Sequence, residues 1–80
     1  MSDVRIILLE RAGCHLCAEA HEVLGQVAQA SGERWVSVDV DASPQLQEAW
    51  GELVPVVLVD GAERGHWRLD ATRVLAALRG

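Results

Sequence analysis

Eighty residues predict one domain, 1–80, near the lower limit for a core that folds without staples. Half the residues are hydrophobic and 24% are charged, a balance that excludes a disordered tail or scaffold. Twelve acids stand against seven Arg and no Lys, a formal charge of −5, and with no basic block or aromatic ladder this argues against nucleic acid as a partner.

The opening stretch from Met1 to Glu10 does not read as a secretion signal. Its apolar part is too short, it holds Arg5, and no small-residue cleavage site follows. No run is long enough to span a bilayer, so a cytoplasmic protein without membrane association is the default expectation. Val4 to Leu9 is almost continuously apolar, as a strand buried on both faces should be. Glu10 to Gly13 breaks that pattern with a loop. From Leu16 the apolar residues Leu16, Ala20, Val23, Leu24, Val27 and Ala28 form a helical stripe, with Glu19, Glu22, Gln26 and Gln29 opposite and Gly32 at the exit.

Arg34 to Val40 alternates, with Val36, Val38 and Val40 on one face and Trp35, Ser37 and Asp39 on the other, which predicts a half-buried strand at or near an edge. Ser43-Pro44 opens a short helix that Gly51 closes. Val54 to Val59 is a second apolar strand, and Pro55 inside it points to a strand start or a special turn. Asp60-Gly61 predicts a hairpin into a short strand near Ala62 to Trp67. Asp70 caps a last helix carrying Val74, Leu75 and Leu78. The order is β-α-β-α-β-β-α. A first β-α-β unit demands a parallel pair and the hairpin an antiparallel one. The expected fold is therefore α/β, a four-stranded mixed sheet with helices on both faces, which resembles the thioredoxin-like layout.

Cys14-His15-Leu16-Cys17 stands where the first strand gives way to the first helix. In a cytosolic βαβ context this spacing reads as a redox pair, and a loop so small could hardly staple the fold. Unpaired N–H groups and the positive end of the helix dipole favour the thiolate of Cys14, the expected attacking group. Cys17 lies one turn along, where it can close a disulfide and act as the resolving thiol. Substantial ionisation at neutral pH needs roughly 2 kcal/mol of differential stabilisation. A helix end supplies ~0.3–1 kcal/mol, which leaves the remainder to Arg11, His15 or hydrogen bonds, while Glu10 and Glu19 pull the other way. The competing readings of the motif are two buried cysteines or half of a zinc site. A structural zinc site normally has four ligands, and the other nitrogen donors are only His15, His21 and His66. His21 falls four residues after Cys17 and reads as a boundary residue of the helix. Trp35, Trp50 and Trp67 read as core or boundary filler.

Arg11-Ala-Gly-Cys-His-Leu-Cys17 together with Leu53-Val-Pro55 resembles the glutaredoxins. The resemblance implies a thiol–disulfide oxidoreductase, with a basic residue three positions before the first cysteine, here Arg11. It also implies a cis Val54–Pro55 bond beside the disulfide, exposing the backbone of Val54 to the substrate's main chain. The only redox group implied is the Cys14–Cys17 disulfide, with no further cofactor and glutathione open as a co-substrate. Ordinary glutaredoxins carry Pro and an aromatic between the cysteines, where this chain has His15 and Leu16. Their Gly-Gly pair and following Asp, which hold glutathione, are matched only loosely by Gly65 and Asp70.

His66-Trp67-Arg68-Leu69-Asp70 is similar instead to the segment before the last helix in the glutaredoxin-like, thioredoxin-reductase-dependent electron donors of ribonucleotide reductase. That likeness places Trp67, Arg68 and Asp70 on the substrate or partner surface. The chain also resembles short glutaredoxin-like proteins of bacteria. The expected partners are thioredoxin reductase or glutathione as reductant, the former favoured, and protein disulfides as substrates of a monomer. The rival from another class is a metal protein that binds copper, zinc or an iron–sulfur cluster through the same two cysteines.

Overall fold

The computed structural model describes residues 4–80; residues 1–3, the start of the stretch read against a secretion signal, lie outside them. Strand β1 (Ile6–Glu10) buries Ile6, Leu8 and Leu9, so both of its faces are covered. It pairs in parallel with β2 (Trp35–Asp39), Ile6 opposite Trp35, and antiparallel with β3 (Val56–Val59), Ile6 opposite Val59. Strand β4 (Ala62–His66) returns antiparallel to β3 with a register shift between Val57 and Leu58. The sheet order is β2-β1-β3-β4. The two apolar strands are central and the two polar ones are edges, as double-sided burial requires.

Each predicted element is present, with ends that differ by a few residues. β1 begins at Ile6 rather than Val4, where its ladders with β2 and β3 begin. β3 begins at Val56, because Pro55 cannot donate to a ladder. Both central residues of the hairpin turn have positive φ, Asp60 at 52° and Gly61 at 85°, the conformation that a two-residue turn of this hand needs.

Helix α1 (Cys17–Ser31) and helix α3 (Ala71–Arg79) lie side by side on one face of the sheet. Leu24, Val27 and Val74 pack there against Ile6, Leu8, Val57 and Val59. A fully buried leucine such as Leu8 or Leu24 contributes about 1.5–3 kcal/mol. Gly32 ends α1 in the left-handed region, its N–H donating to the Ala28 carbonyl at 2.8 Å. Helix α2 (Pro44–Trp50) covers part of the opposite face, Leu46 and Trp50 packing on Leu9, Val40 and Val56. Ser43 caps it and Pro44 opens it, as the sequence predicts. A seven-residue helix cannot cover the whole face, and Val36 remains 43% exposed, while Trp35 turns inward toward the α1 side. A 3-10 turn (Val40–Ala42) takes Val40 out of the strand and into this second cluster.

Arg5 ties the far end of the fold together. Its guanidinium donates to both carboxylate oxygens of Asp60 at 3.0 and 2.8 Å, to Glu33 at 3.1 Å and to the Leu78 carbonyl at 3.1 Å. These bonds link β1, the hairpin turn, the α1–β2 loop and the end of α3. Among the described residues no helix is long and apolar enough to cross a membrane.

Candidate active site

Cys14 and Cys17 form a disulfide at the end of the sheet where β1 runs out and α1 begins, with Cα atoms 5.4 Å apart. Gly13, with φ 78°, supplies the left-handed turn that brings the chain round to Cys14. His15 and Leu16 then make a tight turn, the Cys17 N–H donating to the Cys14 carbonyl at 3.4 Å. Cys14 therefore precedes the helix rather than belonging to it, and Leu16 takes the cap position without a side-chain acceptor. The first-turn N–H groups of α1 consequently have no side-chain cap, and an anion held before the helix would fill that role.

The two sulfurs differ in access. Cys17 is 6% exposed and packed in the helix stripe, whereas Cys14 is only half-buried. Cys14 borders an open groove of about 280 Å³ lined also by Arg11, Ala12, Gly13, His15, Leu16 and Val54. That volume is below the range usual for drug-sized ligands and suits a side chain or a short extended segment.

Val54–Pro55 is a cis peptide bond, as the resemblance implies, and Pro55 is fully buried. Val54 shares the groove with Cys14 and makes no backbone hydrogen bond among the described residues. The loop from Glu52 to Pro55 is held from the β4 side. The Trp67 N–H donates to the Pro55 carbonyl at 2.9 Å and to the Leu53 carbonyl at 3.4 Å, and its indole Nε1–H donates to the Glu52 carbonyl at 3.1 Å. Trp67 is thus tied to the loop while remaining 52% exposed.

The cations near the site are already engaged. Arg11 donates from Nη2 and Nε to Asp41 at 2.7 and 3.3 Å and from Nη1 to the Gly51 carbonyl at 2.9 Å. The sequence offers Arg11 as one of three sources of thiolate stabilisation, beside His15 and hydrogen bonds; in the structure its guanidinium is bound to the 3-10 turn and the end of α2. Arg68 reaches Glu19 in the first turn of α1 at 3.3 Å and so offsets an acid close to the cysteines. Asp70 caps α3, accepting from the Thr72 N–H at 2.9 Å, and borders a small pocket with Gly65 and Arg68.

His21 is an exposed residue of α1, the boundary position the sequence reads for it. Its Nε2 lies 2.9 Å from Glu10, and its ring meets Trp35 edge to face at 5.0 Å. His66 ends β4, pairs with Glu63 at 3.0 Å and meets Trp67 edge to face at 5.0 Å. His15 is exposed. Among the described residues no group of three or more His, Cys, Asp or Glu is arranged to hold a metal ion. The pairing of Arg11 with Asp41 and the Trp67 clasp carry no local sequence signal, since their partners lie 30 and 15 positions away.

The family model described as a glutaredoxin-like domain (DUF836) matches residues 5–79. An uncharacterised protein of Mycobacterium tuberculosis is 36% identical over 81 residues, covering 95% of this chain and 84% of that protein. A protein of X. campestris solved by X-ray diffraction is 36% identical with a TM-score of 0.75, over 92% of this chain and 95% of its own. The solution structure of glutaredoxin from Brucella melitensis is 27% identical with a TM-score of 0.57, over 99% of this chain and 82% of that one. These likenesses agree with the thioredoxin-like mixed sheet and with a thiol redox function for the close cysteine pair.

Proposed function

The chain belongs to the glutaredoxin-like domain family, and from that premise we propose that it is a thiol–disulfide oxidoreductase acting on protein disulfides. The observation that carries the proposal is the asymmetry of the pair. Cys14 is half-exposed, at the groove and before an uncapped helix, and Cys17 is buried one turn behind it. In the reduced protein the Cys14 thiolate attacks one sulfur of the substrate disulfide. A bond forms between Cys14 and the substrate, and the first substrate thiolate leaves. Cys17, giving up its proton, then attacks the Cys14 sulfur, closing the Cys14–Cys17 disulfide and releasing the second substrate thiolate. Two electrons pass to the substrate, and the Cys17 proton together with one from solvent protonates the two released thiolates.

The side chains support roles for the remaining residues. Val54 offers an unpaired N–H and C=O to an extended substrate chain, and buried Pro55 fixes its place beside Cys14. Trp67, Arg68 and Asp70 border the same end of the molecule and complete the partner surface. Arg11 holds α2 against the cysteine loop through Asp41 and Gly51.

Thioredoxin reductase is the favoured reductant. Glutathione carries two carboxylates, and a site that grips it needs cations to spare; Arg11 and Arg68 are already paired with Asp41 and Glu19. The working state is taken as a cytoplasmic monomer with no cofactor beyond the disulfide. NADPH consumption with the oxidised protein decides the reductant. Turnover with thioredoxin reductase, exceeding that with glutathione and glutathione reductase, is expected. Efficient turnover with glutathione alone would overturn it.

A further inference from the structure

Trp67 occupies a backbone conformation that bulky residues rarely adopt, with φ 62°, directly after β4. The conformation has a visible use. It directs the Trp67 N–H at the carbonyls of Pro55 and Leu53, while the indole Nε1–H reaches the carbonyl of Glu52. The three carbonyls that flank Val54 are therefore held by one residue, and of the loop residues Glu52 to Pro55 it is Val54 that makes no backbone hydrogen bond among the described residues. Within the loop itself the backbone contributes one bond, from the Leu53 N–H to the Trp50 carbonyl at 2.9 Å. The indole is steadied in turn by His66, whose ring lies edge-on at 5.0 Å and is fixed by Glu63 at 3.0 Å.

We infer that Trp67 is a positioning residue: it clasps the Glu52–Pro55 loop so that the backbone of Val54 stands ready to pair with an extended substrate beside Cys14. The inference rests on the proposed disulfide exchange and deepens it. Preorganised pairing groups spare the loop an ordering cost at each encounter, so the benefit falls on substrates with a main chain to pair. A small disulfide has none and should feel the clasp far less.

Trp67→Phe keeps an aromatic ring and the backbone N–H and removes the indole donor with its five-membered ring; Trp67→Gly removes the side chain and accepts the left-handed backbone without strain. Each is compared with wild type for kcat/KM on a disulfide-bonded peptide and on hydroxyethyl disulfide, with a melting curve alongside. Loss of one net hydrogen bond corresponds to about a 3–10-fold fall with the peptide, expressed mainly in KM. The fall with hydroxyethyl disulfide should be at least about threefold smaller. Hydrogen exchange at the Leu53 amide in the substrate-free protein supplies the second arm, and it should quicken in Trp67→Phe. Equal losses on both substrates, or a Leu53 amide that exchanges at the wild-type rate, would overturn the clasp. If wild type reduces neither disulfide, the functional reading fails instead, and the Leu53 amide still reports on whether Trp67 holds the loop.

Discussion

Replacing Cys17 by Ser separates attack from resolution. In wild type the two Cα atoms lie 5.4 Å apart, and one thiol confined within that distance amounts to a local concentration on the order of 1 M. Once Cys17 is gone, only external thiol can release the substrate, and at roughly 1 mM it should do so about 1000-fold more slowly. Cys17→Ser mixed with an excess of disulfide-bonded peptide should therefore accumulate one covalent adduct on Cys14, stable for the length of an ordinary separation. Cys14→Ser should form no such adduct, because the remaining sulfur is 6% exposed and set in the helix stripe. Non-reducing mass spectrometry with peptide mapping reads both variants. Adducts on Cys17, or release from Cys17→Ser at the wild-type rate, would refute the division of roles.

Three further outcomes follow from packing and charge. Asp70→Ala removes the cap on α3 and should cost ~1 kcal/mol, read by urea denaturation; an unchanged midpoint would deny the cap its place. Gly51→Ala would set a Cβ 2.5 Å from the Gln47 carbonyl and 3.2 Å from Arg11 Nη1. Such overpacking costs typically ~1–3 kcal/mol and lowers Tm by about 4–8 °C per kcal/mol, and a wild-type melting curve would contradict it. The hydrogen bonds from Arg5 hold the Asp60 carboxyl below its ordinary value, against the opposing effect of burial. A carboxyl so lowered stabilises the fold above its unfolded pKa and loses that contribution as pH falls through the lowered value. The melting deficit of Arg5→Gln should thus narrow from about pH 6 towards pH 2, and a constant or widening deficit would exclude the linkage.

The architecture was legible because its signals are local. Apolar runs from Val4 to Leu9 and from Val54 to Val59 mark the central strands, Asp60-Gly61 marks the hairpin, and Ser43-Pro44 and Asp70 mark helix starts. Cys14 and Cys17 could be singled out for the same reason, Val54 and Pro55 through the resemblance to glutaredoxins, and the chain brings Cys14 and Val54 to one groove. Spacing could not tell where side chains turn for partners remote in sequence. Arg11 lies three positions before Cys14, yet its fork geometry is satisfied by Asp41 and the Gly51 carbonyl. His21 is the helix-boundary residue its spacing suggests, but its partners, Glu10 and the edge of Trp35, are not encoded in that spacing. Trp67 reads from composition as filler or from resemblance as partner surface. Its positive φ and its hold on the Glu52–Pro55 loop depend on how β4 leaves the sheet, which no local pattern encodes.

In the proposed exchange, electrons leave this protein through Cys14 and the pair ends as a disulfide. Reduced wild-type protein mixed with one equivalent of a disulfide-bonded peptide, quenched in acid at successive times, tests it most directly. A transient peptide adduct on Cys14 should appear first. It should give way to the Cys14–Cys17 disulfide with two peptide thiols released per protein oxidised. Protein that stays reduced while the peptide stays oxidised, or an adduct that maps to Cys17, would contradict the account.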